Sequence, residues 1–276
     1  EDAYVIDDQT LLDKIEEAVR MGATQVMNQG GLHEDLDINY FKNMFKLIKS
    51  KYDITIHSLT APEIVHIAKI SNLSIKETLV ELKNAGLDSL PGGGAEILHD
   101  DIREKISPNK IKTNQWLEVM RCAHEIGMKT TATMMMGSVE NIEHRLYHLD
   151  VIRQLQDETG GFRAFITWTY QAGSNMLAGN KVSAIEYLKF LALARLYLDN
   201  IEHIQGSWLT QGARIGQLSL FYGADDLGSI MLEENVVKAA GVENKLSENE
   251  MVRLIRDTGR IPALRDTEYN ILKTFE

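Results

Sequence analysis

One cysteine, Cys122, stands in the 276 residues. No intrachain disulfide can form from it, and one thiol can build neither an iron–sulfur cluster nor a thiolate zinc site. That usage makes a cytoplasmic protein the plain expectation. Basic runs are missing too. The 29 Lys+Arg residues are scattered among 40 Asp+Glu, for a net charge of −11. Nucleic acid is therefore not an expected partner, because binding a phosphate backbone takes a basic face. No apolar run approaches the roughly 20 residues of a membrane span, so no membrane is expected either. The chain has no HExxH, no Walker loop, no nucleotide GxGxxG and no Ser-His-Asp order. It also lacks a Pro/Gly/Ser linker and any low-complexity tract. One domain over residues 1–276 is the simplest reading, with a barrel over about 1–244 and a C-terminal helix and irregular tail over about 245–276. The opening EDAYVIDD is acidic and has no initiator methionine. It is no signal or transit peptide, and the chain is expected to begin in mid-protein.

What is present is an alternation. Short β-branched runs at Thr24–Gln29, Asp53–Leu59, Leu87–Pro91, Lys129–Met136, Arg163–Tyr170, His203–Trp208 and Leu218–Gly223 read as strands. Most are separated by roughly 30 to 40 residues, the length of one βα unit. Between them lie helix signals: Thr10 before a Leu11, Leu12, Ile15, Ala18, Val19 stripe, capping boxes at Thr60/Glu63 and Ser74/Glu77, and closing glycines at Gly22, Gly86 and Gly127. The pattern predicts parallel strands joined by helical crossovers, an α/β TIM-type barrel. Seven strands are visible and the chain opens on a helix, so a barrel of eight would lack its first strand.

The segments after the strands are rich in glycine: QGGLH (Gln29–His33), PGGGAE (Pro91–Glu96), GSVE (Gly137–Glu140), YQAGSN and GADDLGS (Gly223–Ser229). In such barrels these loops build the active site. Glycine at one junction only permits a turn. Its repetition along one edge points to backbone amides that approach a ligand. Glu96, after three glycines, reads as a ligand contact. Glu140 stands between a ligand contact and a carboxylate favoured by a helix dipole. His33 and His57 are candidates for the pocket lining. His144 and His148, spaced i, i+4, are read as a solvated helix face rather than a metal pair. Cys122 is read as a buried, inert thiol, and Met134–Met136 as a buried strand end.

Several segments together resemble the menaquinone/deazaflavin branch of radical S-adenosylmethionine (SAM) enzymes. They are QGGLH, LDSLPGGGAEIL, TATMMMGSVE, IRQLQDETGGF, LARLYLDNI and RDTEYN. FITWTYQ, SWLTQG and DDLGSIMLEENVVKAAG look most like its cyclase members rather than its aminofutalosine or deazaflavin synthases. The resemblance implies a radical SAM barrel that closes dehypoxanthine futalosine to its cyclic form, with SAM and a [4Fe–4S] cluster as cofactors and flavodoxin or ferredoxin as electron donor. It implies SAM contacts at Gln29, Gly30, Gly31, Gly92, Gly93, Gly94, Glu96 and Glu140. The substrate would lie near His33, His57, Thr131, Thr133, Trp168, Gln171 and Asp226. The family's C-x-x-x-C-x-x-C loop is expected just upstream of Glu1. Glu34, Ala172, Asp225 and Leu227 stand where the family has proline, proline, asparagine and phenylalanine. Two readings of other classes compete. A cluster-free binding barrel draws on the missing cysteines. A phosphate-binding lyase or isomerase would need Lys or Arg beside QGG and PGGGAE, which have none.

Cys122 alone cannot ligate a cluster, so the 276-residue chain treated anaerobically with iron and sulfide is expected to stay colourless. Stoichiometric cluster absorption in its visible spectrum would overturn that expectation.

Overall fold

The computed structural model describes residues 4–171, 182–231 and 244–276. Eleven described helices alternate with or follow the strands: α1 (Asp8–Arg20), α2 (Ile38–Lys51), α3 (Ala61–Ile70), α4 (Ile75–Ala85), α5 (Asp100–Ile106), α6 (Thr113–Glu125), α7 (Ile142–Thr159), α8 (Ala184–Tyr197), α9 (Trp208–Gln211), α10 (Ala213–Ser219) and α11 (Glu248–Arg256). The strands are β1 (Gln25–Val26), β2 (Thr55–Ile56), β3 (Thr130–Met136), β4 (Phe162–Thr169) and β5 (His203–Gln205), then an antiparallel hairpin of β6 (Ala263–Arg265) and β7 (Ile271–Thr274). β1 pairs with β2, β3 with β4 and β4 with β5, all parallel. Single parallel bridges at His57–Ser89, Leu90–Thr130 and Gln205–Asp226 complete the order. Seven parallel strand positions thus follow one another in chain order, the arrangement of an α/β barrel.

Two expectations need correction. Leu218–Gly223 is not a strand. Its start ends α10 and the rest is a turn; the seventh strand position falls at Asp226. Its apolar residues alone do not separate a short strand from a helix end. The tail is not irregular after its helix, because β6 and β7 pair there.

Both faces of the strands carry side chains of distinct kinds. Ile56, Leu90, Ala132, Met134, Met136, Phe165 and Ile204 belong to the core shared with the helices. By alternation, His57, Ser89, Thr131, Thr133, Met135, Ile166, Trp168, His203 and Gln205 take the inner side. Register agrees, with Thr133 opposite Ile166 and Met135 opposite Trp168.

Local chemistry sets the helix ends. The Thr60 N–H and hydroxyl donate to Glu63 Oε2 at 2.7 and 2.6 Å. Ser74 and Glu77 close their box at 2.8 and 3.2 Å, and Gly86 ends α4 at φ +118°. α1 begins earlier than its Thr10 signal, because Asp7 accepts from the Thr10 N–H.

His148 is fully buried, which corrects its reading as a solvated position. The buried stripe of α7 runs Arg145, His148, Leu149, Ile152, Leu155 and Gln156, so tertiary packing chose a face that polarity alone hides. His148 Nδ1 accepts from the Leu98 N–H at 2.9 Å. Burial, then Arg103, push its pKa down to about 3. His124 sits between the Thr159 and Thr130 hydroxyls, each at 2.7 Å. Burial, then Lys129 and Arg121, lower it to about 4. Both histidines are neutral when folded, whereas the unfolded chain protonates near 6.5. Between those values the unfolded state binds more protons, so stability is full above about pH 6.5 and is lost as pH falls through 4 and then 3. Melting temperature is expected to drop from pH 6.5 to pH 4.5, and His124→Gln to flatten that slope.

Candidate active site

The three glycines of PGGGAE answer to three close approaches from the protein's own chain. A Cβ on Gly92 would lie 2.6 Å from the Thr133 nitrogen, so the loop is pressed against the β3 backbone. The Gly92 N–H donates to Thr131 Oγ1 at 3.0 Å, and its carbonyl accepts from Thr133 Oγ1 at 2.6 Å. The sequence reading put these two hydroxyls against substrate; here both fasten Gly92. A Cβ on Gly93 would meet Thr60 Cγ2 at 2.6 Å and Gln29 Nε2 at 3.1 Å. Gly94 has φ +78°, and Pro62 fills its side-chain direction at 2.5 Å. Packing against the protein's own chain is thus sufficient to require each of these glycines.

Arg103 then holds the loop. It is 2 % exposed. Its guanidinium donates to the carbonyls of Ala95 at 2.5 Å, Gly94 at 3.1 Å and Ile111 at 2.9 and 2.6 Å. A planar fork of five donors suits a loop that turns its carbonyls inward. Burial lowers the Arg103 pKa, and Glu96 and Asp100 oppose the shift.

Glu96 follows at φ +40°, a rare conformation for a non-glycine residue. Its carbonyl accepts from the Met135 N–H at 2.8 Å. Lys110 Nζ meets Oε1 at 2.6 Å. Oε2 is buried, has no hydrogen-bond partner, and lies 4.0 Å from Arg103 Nη1. An acceptor held in place and left open at the rim of a barrel is the feature a ligand hydroxyl would complete.

The QGG loop comes to the same rim. Glu63, buried inside its own capping box, accepts the Gly30 N–H at 3.0 Å. Burial raises the Glu63 pKa, and hydrogen bonds from Thr60 and Gly30 resist that rise. Nothing lies within 4 Å of a Cβ position at Gly30 or Gly31, and Gln29–Gly31 are exposed. Gln29 touches the Gly93 position, so the two glycine loops adjoin.

Other candidates are placed differently. His33 is exposed, its Nδ1 accepts from the Asp35 N–H, and its carbonyl meets His66 Nε2; its own turn holds it away from the inner side. Glu140 accepts from the Gly137 N–H at 2.6 Å and the Ser138 N–H at 2.8 Å, and pairs with Arg145 at 2.7 Å. Burial alone would raise its pKa, but those bonds and Arg145 bring it below the ordinary value. Its role is to close the GSVE turn. Gln171 Nε2 donates to the Thr169 carbonyl and hydroxyl, each at 3.0 Å. Asp226 is bound to the tail, with Arg265 at 2.5 Å and the Tyr269 hydroxyl at 2.9 Å; a partner distant in sequence claims the carboxylate expected to face substrate. His57 is buried on the inner side, and Trp168 is half-buried there. The rest of YQAGSN, with Ala172, and the NVVKAAG segment lie outside the described residues.

Sequence reasoning missed the anchoring work of Arg103, of Glu63 toward Gly30 and of Arg265 and Tyr269 in the tail. A lone arginine on an acidic helix and an unpatterned tail carry no periodic signal.

Rim and loops define a class, an α/β barrel with a ligand site at the carboxyl ends of its strands, and comparison with known proteins says which. Residues 1–152 match the radical SAM superfamily, and residues 159–276 match the CofH/MqnC C-terminal region. The chain belongs to the radical SAM superfamily and is an enzyme of that kind. It is 45% identical to the cyclic dehypoxanthine futalosine synthase of Halalkalibacterium halodurans, over 100% of this chain and 75% of that protein. It is 49% identical to the protein of the same name from Streptomyces coelicolor, over 95% and 66%. The aminodeoxyfutalosine synthase of Thermus thermophilus is 39% identical, over 95% and 73%. Methylornithine synthase (PylB) shares the fold, with a TM-score of 0.69 at 17% identity over 92% of this chain and 74% of that one.

The family implies SAM and a [4Fe–4S] cluster. The unpartnered Glu96 oxygen and the exposed Gln29–Gly31 backbone, whose Gly30 N–H is held by Glu63, fit SAM. The cluster does not fit these residues: the one thiol, Cys122, lies on α6, half-buried rather than buried as expected, its pKa raised by partial burial and nearby acids, and no group of three metal-ligating side chains occurs among the described residues.

Gly92→Ala forces a methyl group into the β3 backbone, so the protein is expected to lose several degrees of melting temperature. Gly31→Ala, where the space is open, should leave the melt unchanged.

Proposed function

We propose that this chain is the catalytic barrel of a radical SAM cyclase that converts dehypoxanthine futalosine to cyclic dehypoxanthine futalosine in the futalosine route to menaquinone. One observation carries the reading. Relatives named cyclic dehypoxanthine futalosine synthase reach 45% and 49% identity across nearly the whole chain, whereas the aminodeoxyfutalosine synthase and a 4-hydroxyphenyl transferase stand at 39%. Residues 1–276 form one domain in this reading. The protein works in the cytoplasm, with flavodoxin or ferredoxin as electron donor; no described helix is long and apolar enough to cross a membrane.

When bound, SAM supplies the group that takes a hydrogen atom from the substrate ribose. The exposed backbone at Gln29 and Gly31 holds its methionine end, beside the Gly30 N–H that Glu63 already ties down. The unpartnered Oε2 of Glu96 accepts a hydrogen bond from a ribose hydroxyl, and Lys110 and Arg103 hold that carboxylate in place. Met135, Ile166 and Trp168, adjacent on the inner face, form an apolar wall that orients an aromatic ring and excludes water from it. The cyclised product is two hydrogens lighter than the substrate.

The full-length gene product, assayed anaerobically with SAM and reductant, is expected to give that lighter product together with 5′-deoxyadenosine. Release of 5′-deoxyadenosine with dehypoxanthine futalosine unchanged would refute the reading. Glu96→Ala should weaken SAM binding roughly 10- to 150-fold, the range for a hydrogen bond to a charged group. An unchanged dissociation constant removes Glu96 from the SAM site.

A further inference from the structure

One helical turn at the rim touches both glycine loops. It is the start of α3, Thr60–Glu63, with Thr60 as the N-cap. Toward PGGGAE it offers two side chains. A Cβ on Gly93 would meet Thr60 Cγ2 at 2.6 Å, and Pro62 fills the side-chain direction of Gly94 at 2.5 Å. Toward QGGLH it offers one. Glu63 Oε1 accepts the Gly30 N–H at 3.0 Å, from 33 positions away in sequence.

Two more bonds strap the same strand ends. The Leu59 N–H donates to the Asn28 carbonyl at 2.9 Å, and the Asn28 N–H donates to Ser58 Oγ at 2.8 Å. They carry the β1–β2 pairing into the loop, and the Glu63 bond to Gly30 takes it up two residues later. The backbone just before the turn is strained. Leu59 is 1 % exposed and has φ +64°, an outlier for a bulky side chain. Strain of this kind persists where surrounding contacts hold it, and it gathers at functional sites. Glu63 itself lies behind the QGG loop. It is 5 % exposed, whereas Gln29, Gly30 and Gly31 are exposed. Its hydrogen bonds come from the Gly30 N–H and from the Thr60 N–H and hydroxyl, so both oxygens are engaged by the protein.

We propose that the Thr60–Glu63 turn is a positioning joint for the cofactor: Glu63 fixes the QGG loop from behind, while Thr60 and Pro62 seat PGGGAE. That SAM lies along these two loops rests on the proposed function above. The methionine end meets the backbone on either side of Gly30, and the ribose meets Glu96, two residues beyond Gly94. One turn thereby sets the distance between the two ends of the bound molecule. Glu63 acts through Gly30 and does not itself touch SAM. Fixing an exposed glycine loop before the ligand arrives removes the ordering cost from binding, which is how a residue outside the contact set raises affinity.

The test uses the full-length, cluster-loaded enzyme, with equilibrium SAM binding and amide hydrogen exchange as readouts. Two substitutions separate reach from charge. Glu63→Gln loses the charge but keeps an acceptor oxygen for Gly30, its amide nitrogen turning to the Thr60 hydroxyl. Glu63→Asp keeps the charge near Thr60 but is one methylene too short for Gly30. Glu63→Asp is expected to raise the SAM dissociation constant roughly 10-fold, the population shift when one hydrogen bond to a charged group is lost, and to quicken exchange over Gln29–His33. Glu63→Gln should stay near wild type in both. The reverse order, with Glu63→Gln weakened and Glu63→Asp unchanged, means that the carboxylate meets SAM directly and overturns the positioning role. A lower melting temperature in both variants with SAM binding unchanged leaves Glu63 as a helix cap and also overturns it. If Glu63→Asp does not fold, exchange in the wild-type protein decides. The Gly30 amide, pinned to a buried carboxylate, should be the slowest of Gln29–His33, and a Gly30 amide as fast as its neighbours overturns the proposal. Pro62→Ala should quicken exchange over Gly92–Glu96 and leave Gln29–His33 as it was; unchanged exchange over Gly92–Glu96 removes Pro62 from the joint. If the wild-type enzyme does not bind SAM, the placement of the cofactor falls, and the exchange contrast between Glu63→Asp and Glu63→Gln alone upholds or overturns the joint.

Discussion

The parallel strands of the barrel have two covered sides, unlike the exposed C-terminal hairpin, and that constraint organises the rest. Outward positions must match helices, so they are Ile, Leu, Met, Phe and Ala. Inward positions cannot all be apolar, because a ligand must enter between them, and they carry His57, Ser89, Thr131, Thr133, Arg163 and His203. A period of two separates the sets, and one residue of slip would exchange them. The bulge at Arg163 is the one place in the β3–β4 pairing where the register shifts. It delivers a guanidinium to the interior where strict alternation would not.

Polar groups in such an interior need fixed partners, and the two ends of the barrel provide them differently. At the rim the chain binds its own backbone. Arg103 collects loop carbonyls, Glu63 ties Gly30 to α3, and Glu140 closes its own turn. Each buried charge sits among several hydrogen bonds, the condition under which burial is tolerated. At the base, partners come from the far end of the chain. Asp226, Arg265 and Tyr269 form one cluster, and Arg163 and Glu268 the next. The rim is thus locally determined, while the base depends on a tail more than two hundred residues from the β1 strand it touches.

Rigidity at the rim also explains how one loop can be dense in glycine and still hold shape. The backbone at Gly92 and Gly94 is pressed against β3 and Pro62, so the absent side chains are a packing requirement. What the loop offers a ligand is the residue after them: Glu96, strained at positive φ and with one carboxylate oxygen left open. Strain held by surrounding contacts is a common mark of a functional position.

The order of elements was legible in the residues themselves. Capping boxes at Thr60 and Ser74, the αL glycine at Gly86 and the β-branched runs are local signals, and local backbone preference decides them. The glycine edge and the family resemblance led to the rim for the same reason, because loops after strands are short and stay near them. Tertiary structure alone decided which face of α7 is buried, why His148 is neutral, that Leu218–Gly223 ends a helix, and that Asp226 belongs to the tail. In each case the deciding partner is distant in sequence, and neither periodicity nor composition records a contact between residues that only the folded chain brings together.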